Sequence, residues 1–107
     1  MSIINNARIN RFTIIAGPCT IDNKEQLDKT ASALSECGIS YLRGGAFKMR
    51  TSCKSYQGLG EQGLLYLKEI GVKYQMKTVS EVISQNDIDT MSEYVDVFMI
   101  GTRNMQN

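Results

Sequence analysis

Short apolar segments alternate with amphipathic ones along this chain, and the alternation restricts the fold more than any other feature. Residues 12–16 (FTIIA) form a nearly continuous apolar run that stops at Gly17-Pro18, which is typical of a strand buried on both faces. Leu27, Ala31 and Leu34 then recur at helical spacing. The first unit is therefore predicted to be a strand, a turn and a helix.

The same unit recurs further along the chain. Asp22 with Glu25 three residues later resembles a capping box that begins the first helix, and Gly38 is placed to end it. Periodicity then predicts, in chain order, a strand at 39–47, a helix at 61–74, a strand at 78–83, a short helix at 87–94 and a strand at 95–100. Four strands and three helices are expected in all.

Strands that alternate with amphipathic helices indicate parallel βαβ units with right-handed crossovers, which is the α/β class. A buried parallel strand such as residues 95–100 needs a neighbour on each edge and helices on its faces. No helix pattern follows it before Asn107. We therefore expect an incomplete part of a larger parallel fold, although an open four-stranded sheet remains the alternative.

Composition excludes several classes of function. A formal net charge of +1 argues against a general binder of nucleic acid or of membrane surfaces, and no apolar run is long enough for a bilayer span or a signal peptide. We therefore expect one cytoplasmic domain. The chain has no histidine, which removes Ser-His and Cys-His catalysis within it and leaves only thiolates and carboxylates as strong metal ligands.

Positive charge is concentrated after the predicted second strand. Between Cys37 and Gly60 there is no Asp or Glu, but there are four cations: Arg43, Lys48, Arg50 and Lys54. Ligands of parallel α/β folds bind at the carboxyl ends of strands, and the segment RGGAFKMRTS carries Lys48 and Arg50 just beyond such an end. It is predicted to bind phosphate or carboxylate, with Gly44-Gly45 allowing close backbone approach. The alternative is a solvated basic loop.

Three more side chains follow other predicted strand ends. Arg103 lies after the fourth strand and could reach the same anion, or remain a surface charge. Glu81 near the end of the third could orient the cations or form a plain ion pair. Cys19, after the first, could ligate a divalent metal or be a small buried apolar residue.

Four segments, in this order and spacing, resemble one family: AGPCTI, LRGGAFKMRTS, SYQGLGEQGL and IGTRNMQN. The family is 3-deoxy-D-arabino-heptulosonate 7-phosphate synthase (DAHP synthase), in the short type related to 3-deoxy-manno-octulosonate 8-phosphate synthase. The resemblance covers residues 11–107. It implies that residues 1–107 form the N-terminal portion of one TIM (β/α)8 barrel domain, about its first half with four strands, and that the first ten or so of these residues are a leader.

The resemblance also implies a reaction and its participants. DAHP synthases are homo-oligomeric transferases that condense phosphoenolpyruvate with erythrose 4-phosphate, which opens the shikimate pathway to the aromatic amino acids. Their cofactor is a divalent metal ion of the Mn, Fe, Co or Zn class. Cys19 is similar to the family's metal-ligating cysteine, and the other ligands, a His, a Glu and an Asp, lie on strands that this chain lacks.

Substrate roles transfer position by position. Arg43, Lys48 and Arg103 match residues that bind phosphoenolpyruvate, with Lys48 also catalytic, while Lys48 to Thr51, including Arg50, match the family's KPRT loop for erythrose 4-phosphate. Glu81 matches an acidic residue that lines the pocket. Met49 replaces the proline of that loop, so the loop loses a fixed φ angle.

Two other readings remain open. The octulosonate enzymes use arabinose 5-phosphate, although they show K-A-N-R where this chain has KMRT. Alternatively, the 107 residues are a non-catalytic half-barrel that self-associates and at most binds anions. On either the DAHP synthase or the half-barrel reading, we expect the isolated chain to be inactive, because it supplies one of the family's metal ligands.

Overall fold

Short parallel strands alternate with helices throughout the part of the chain that the computed structural model describes, residues 12–47 and 59–105. The strands are β1 (Ile15–Ala16), β2 (Tyr41–Arg43), β3 (Lys77–Val82) and β4 (Val97–Ile100). The α-helices are α1 (Lys24–Glu36), α2 (Glu61–Tyr74) and α3 (Ile88–Ser92), and 3-10 turns occupy Gln85–Asp87 and Thr102–Asn104.

The strands lie side by side in chain order, β1-β2-β3-β4, and each neighbouring pair is parallel. In the register, Tyr41 pairs with both Ile15 and Lys77, and Val79 pairs with Val97. A doubly wound sheet reverses its strand order at a switch point, whereas consecutive order with a helix between strands is the pattern of a (β/α)8 barrel. The predicted α/β class and the partial barrel are confirmed.

The core lies between the sheet and the helices. α1 and α2 pack against each other, and the buried side chains come from all three helices, from the loops and from the helix-facing side of the strands. The apolar residues of this cluster exposed by at most 2% are Ile21, Leu27, Ala31, Leu42, Ala46, Leu64, Leu67, Ile70 and Met91. Burying such a side chain contributes about 1.5–3 kcal/mol each, so this layer is the main source of stability.

The opposite face of the sheet is turned toward the interior of the barrel. Successive side chains of a strand point to opposite faces, and Leu42 belongs to the helix-side core. Tyr41 and Arg43 therefore face the interior. By the register, Val79 of β3 shares that face, and so does Glu81 two residues later. A cation and a carboxylate thus occur on the barrel side near the carboxyl ends of β2 and β3.

The predicted helices are close to those observed, with one cap displaced. Residues 61–74 were predicted and α2 has those bounds. The predicted capping box at Asp22 is wrong by one residue: Asn23 is the cap, and its Oδ1 accepts a hydrogen bond of 2.8 Å from the backbone N–H of Gln26. The predicted end is confirmed, since Gly38 follows α1 with φ of 84°.

The predicted strands are longer than those observed at both edges of the described sheet. β1 is two residues long, and Phe12 is 70% exposed, so the expectation of a strand buried on both faces is wrong here. In the described part, β1 and β4 each pair with one neighbour, and an edge strand keeps one side open. β2 is also shorter than predicted, because it ends before Gly44-Gly45.

Polar contacts join α1 to α2 at the surface. The Asp28 carboxylate accepts hydrogen bonds from the Tyr74 hydroxyl at 2.6 Å and from Lys73 Nζ at 3.1 and 3.2 Å. The hydrogen bond from Tyr74, and then that from Lys73, lower the pKa of Asp28, and the bond to Asp28 raises the pKa of Lys73. Because water screens an exposed pair of this kind, it orients the helices more than it stabilises them.

A second polar cluster holds the amino ends of β3 and β4. The backbone N–H of Thr78 donates to Asp96 Oδ2 at 2.9 Å, and the backbone N–H of Asp96 donates to the Thr78 hydroxyl oxygen at 3.2 Å. Thr78 is 2% exposed. This reciprocal pair closes the end of the sheet that lies away from Arg43. Within the described ranges, no helix is long and apolar enough to cross a membrane.

The open edge at β4 generates a prediction about association. Val97, Phe98 and Ile100 are exposed by 37%, 39% and 63%, and an apolar strand edge is a template for pairing. The 107-residue chain should therefore form dimers or larger species in sedimentation velocity, with a fraction that rises with concentration. Ile100→Lys should shift this equilibrium toward monomer, and Val72→Lys, on the exposed side of α2, is the matched control. A monomer at all concentrations would contradict the prediction.

Candidate functional site

Arg43 is the last residue of β2 and lies at the carboxyl end of the sheet. Its side chain is half-buried and faces the interior of the barrel beside Val79, its partner in register. None of the ion pairs between described residues includes Arg43; they join Lys24 to Glu69, Lys29 to Glu25 and Lys73 to Asp28. A half-buried guanidinium of this kind is a suitable donor for a carboxylate or phosphate.

The loop after β1 interlocks with the end of β2 through backbone atoms. A Cβ added to Gly17, whose φ is 147°, would overlap the carbonyl oxygen of Arg43. A Cβ added to Gly45 would overlap the carbonyl oxygen of Cys19. Between these contacts, the backbone N–H of Ile21 donates to the Gly45 carbonyl at 2.8 Å. The loop that carries Cys19 is therefore fixed against the turn that follows Arg43.

Cys19 is exposed and stands at the same end of the sheet as Arg43. The structure thus brings the predicted metal ligand and one predicted anion-binding residue to one rim. The described residues contain no group of three or more His, Cys, Asp or Glu side chains that could hold a metal ion. Cys19 fits a single ligand position, and a complete site would need further ligands from outside the described residues.

Glu81 belongs to the same rim, one strand further along. It lies in β3 in register with Met99 and is half-buried. A Cβ added to Gly101 would lie 2.5 Å from Glu81 Oε2, so the carboxylate occupies the space over Gly101. Gly101 precedes the 3-10 turn Thr102–Asn104. Glu81 is therefore packed against the start of the turn that contains Arg103.

The other predicted site residues cannot be placed beside these. Lys48, Arg50 and Thr51 fall within residues 48–58, outside the described part of the chain. The backbone of Arg103 lies in the turn after β4. Its side chain, like those of residues 48–58, is not among the parts of the chain that the structure describes. Arg43, Cys19 and Glu81 are thus the predicted residues that the structure locates at one end of the sheet, and their roles remain predictions.

Two features of this rim were not predicted. Gly44-Gly45 were expected to let the backbone approach an anion. In the structure, a Cβ added to Gly44 would lie 2.8 Å from the side chain of Ile21, and a Cβ added to Gly45 would overlap the carbonyl oxygen of Cys19. Both glycines are therefore required by close contacts within the protein.

Ser80 is the second unpredicted feature. It is fully buried on the helix-facing side of β3, and its hydroxyl donates a hydrogen bond to the Gly44 carbonyl at 2.7 Å. The sequence did contain a signal for this hydrogen bond, namely a serine at a core position of a strand. A buried hydroxyl needs a hydrogen-bond partner.

The interlocked loops generate a prediction for Gly45→Ala. Because the added methyl group would overlap the Cys19 carbonyl, the loop after β1 must move, and the free energy of unfolding should fall by about 1–3 kcal/mol. Urea denaturation measures this loss, and the amide resonances of Cys19 and Arg43 report the displacement.

Gly60→Ala is the matched control. Gly60 has a positive φ of 64°, unlike Gly45, but the nearest atom to its added Cβ would be Phe47 Cε1 at 3.7 Å. It carries the conformational cost of about 1 kcal/mol without the overlap, and the Cys19 resonance should stay in place. An unchanged Cys19 resonance in Gly45→Ala would show that the two loops are not interlocked.

Comparisons with known proteins agree with this architecture. The chain is 53% identical over 96 residues to the phospho-2-dehydro-3-deoxyheptonate aldolase of Thermotoga maritima, covering 90% of this chain and 28% of that protein. It is 30% identical over 97 residues to the 2-dehydro-3-deoxyphosphooctonate aldolase of Fusobacterium nucleatum, covering 84% of this chain and 35% of the relative. The chain thus spans about a third or less of the length of these relatives.

Solved structures give the same result. The crystal structure of the Thermotoga maritima DAHP synthase superposes with a TM-score of 0.85 at 51% identity, over 90% of this chain and 28% of that one. A truncated form of the synthase from the same organism superposes with a TM-score of 0.77 at 49% identity, over 90% of this chain and 34% of that one. Residues 3–107, nearly the whole sequence, match the model of one protein family. The chain belongs to the DAHP synthetase I family.

Proposed function

We propose that this chain supplies the phosphoenolpyruvate-binding side of a DAHP synthase, which condenses phosphoenolpyruvate with erythrose 4-phosphate in the first step of the shikimate pathway. The observation that carries the proposal is Arg43. It is a half-buried cation on the barrel side of the carboxyl rim, outside every ion pair between described residues. The 53% identity to a relative named as the heptonate aldolase supports the choice of reaction.

Binding is divided between two sets of cations in this proposal. Arg43, Lys48 and Arg103 hold the phosphate and carboxylate of phosphoenolpyruvate, and Arg50 with Thr51 holds the phosphate of erythrose 4-phosphate. Guanidinium groups suit both anions because they can donate two parallel hydrogen bonds. Glu81 lines the pocket and limits the net positive charge around the substrates.

The contribution of these residues to rate is positioning and charge neutralisation. Two anionic substrates repel each other, and cations on both sides of the rim lower that repulsion while holding the enol carbon against the aldehyde. Lys48 is the catalytic cation of the proposal, because it matches both the phosphoenolpyruvate-binding residues and the KPRT loop of the family. The interlock of the loops that carry Cys19 and Arg43 keeps this geometry fixed during the reaction.

A divalent metal ion of the Mn, Fe, Co or Zn class belongs to the proposal. Cys19 would hold it through a thiolate, and the remaining ligands lie outside this chain, which has no histidine. When bound, the ion supplies Lewis-acid polarisation of the aldehyde. The proposed enzyme is a homo-oligomer, as the resemblance to the family implies. It is proposed to act in the cytoplasm, because phosphorylated substrates of this kind do not cross membranes unaided.

The octulosonate reaction, with arabinose 5-phosphate as the aldehyde, is the second candidate. The chain is 30% identical to such an enzyme from Fusobacterium nucleatum, against 53% to the heptonate enzyme. The segment KMRT in place of K-A-N-R also favours the shorter aldehyde. The assay described next distinguishes the two, because both aldehydes can be offered to the same protein.

A chimera tests the reaction. The matching segment of the Thermotoga maritima enzyme, 28% of its length, is replaced by this chain, so that the rest of the barrel is present. The chimera should consume phosphoenolpyruvate in the presence of manganese and erythrose 4-phosphate, and at least about tenfold more slowly with arabinose 5-phosphate. Cys19→Ser in the chimera should abolish metal-dependent turnover, because a hydroxyl is a poor ligand for these metals.

Circular dichroism and thermal melting show whether each chimera is folded. A folded chimera without turnover would refute the proposed reaction. Full turnover in Cys19→Ser after chelation and return of the metal would refute the ligand role of Cys19 while leaving the reaction intact.

The two sets of cations generate a second prediction, measured in the same chimera. Arg43→Ala should raise KM for phosphoenolpyruvate by about ten- to a hundredfold, since a charge-assisted hydrogen bond is worth about 1.5–3 kcal/mol. Arg50→Ala should do the same for erythrose 4-phosphate. Lys73→Ala removes a cation that is paired with Asp28 on the helical surface and should change neither KM. Equal effects of Arg43→Ala and Arg50→Ala on both substrates would refute the division.

A further inference from the structure

Ser80 is a polar residue in the middle of the apolar layer. It is fully buried on the helix-facing side of β3, in the middle of that strand. Its hydroxyl donates a hydrogen bond of 2.7 Å to the carbonyl oxygen of Gly44, 36 residues earlier in the chain. Burying a hydroxyl is unfavourable unless it is bonded, so an alanine would be the simpler residue if packing were the only requirement.

The acceptor of this bond is the residue that directly follows Arg43. The backbone N–H of Gly44 donates to the Val79 carbonyl at 3.0 Å, so β3 holds Gly44 by its N–H through Val79 and by its carbonyl through Ser80. The second bond lies beyond the regular β2 ladder, which ends at Arg43. Through the Ser80 hydroxyl, β3 thus holds one more peptide group of the chain that follows β2.

That peptide group connects the two halves of the rim. The Gly44 carbonyl belongs to the peptide that leads into Gly45, and Gly45 is the residue that contacts the Cys19 loop and accepts the hydrogen bond from Ile21. A rotation of this peptide would turn the carbonyl away from Ser80, change the direction of the backbone after Arg43 and disengage the loop after β1. Ser80 is placed to prevent this rotation.

We propose that Ser80 is a positioning residue for the anion site: its hydroxyl fixes the Gly44–Gly45 peptide and thereby the direction of the Arg43 side chain. The proposal rests on the proposed function in one respect, that Arg43 binds phosphoenolpyruvate. It assigns to a buried core residue a role in substrate affinity in addition to its role in packing.

The strand offers a matched control. Thr78 lies two residues before Ser80 on the same face of β3, is 2% exposed, and uses its hydroxyl in hydrogen bonds to Asp96 at 3.2 Å and to the Tyr94 carbonyl at 3.4 Å. Its partners are at the amino end of the sheet. Ser80→Ala and Thr78→Val each remove one buried hydroxyl from the same face of the same strand, but the partners of the two hydroxyls lie toward opposite ends of the sheet.

The experiment compares three proteins: the chimera described above, the same chimera with Ser80→Ala, and the same chimera with Thr78→Val. Urea denaturation curves first identify conditions under which all three proteins have the same folded fraction. Phosphoenolpyruvate is then titrated into each protein under those conditions. The side-chain Nε–H resonance of Arg43 is recorded in each ligand-free protein. Ser80→Ala should raise Kd for phosphoenolpyruvate by about tenfold, an effect of misplacement, and should shift the Arg43 and Gly45 resonances. Thr78→Val should lose similar stability and change neither observable.

Each remaining outcome has a definite meaning. Equal weakening of phosphoenolpyruvate binding by both variants would mean that Ser80 acts only through stability, and the proposal would fail. Unchanged Kd and unchanged Arg43 resonance in Ser80→Ala would also overturn it. If the parent chimera binds no phosphoenolpyruvate, the proposed role of Arg43 fails, and the ligand-free resonances of Arg43 and Gly45 still decide whether Ser80 positions them.

Discussion

The contact between the loop after β1 and the turn after β2 is the constraint on which the candidate site depends. It is formed by main-chain atoms: Gly17 against the Arg43 carbonyl, Gly45 against the Cys19 carbonyl, and the hydrogen bond from Ile21 to Gly45. A backbone contact of this kind places a thiol and a guanidinium at one rim without using the functional group of either. The position of this thiol and this guanidinium is therefore set by the backbone around them.

The two ends of the sheet are stabilised in different ways. At the amino end, Thr78 and Asp96 satisfy each other through side-chain and backbone hydrogen bonds. At the carboxyl end, glycines allow close approach, and a carboxylate packs over Gly101. This division matches the general behaviour of barrels, in which one face serves stability and the other carries ligands. The helical layer beneath both ends supplies most of the apolar burial.

How far the sequence predicts this structure depends on the range of the interactions involved. The bounds of α2 were predictable because Leu64, Leu67 and Ile70 repeat at helical spacing within one segment. Strand lengths were not, since they depend on pairing between distant segments, and an edge strand such as β1 lacks a second partner in the described part. Cys19, Arg43 and Glu81 could be assigned to one rim because each lies near a strand end. The hydrogen bond from Ser80 crosses 36 residues and leaves no local pattern.

The separations of the polar contacts along the chain also bear on the order of folding. The reciprocal bonds between Thr78 and Asp96 close a segment of 18 residues, whereas the bond from Ser80 to Gly44 closes 36. Closing the longer segment costs only about 0.6 kcal/mol more in chain entropy, but contacts between nearer residues form faster. β3 and β4 should thus associate first, around α3, and provide the template onto which β2 is added. The rim that holds Arg43 would then be the last part of this chain to acquire its native geometry, and the candidate anion site would be completed only in that final step.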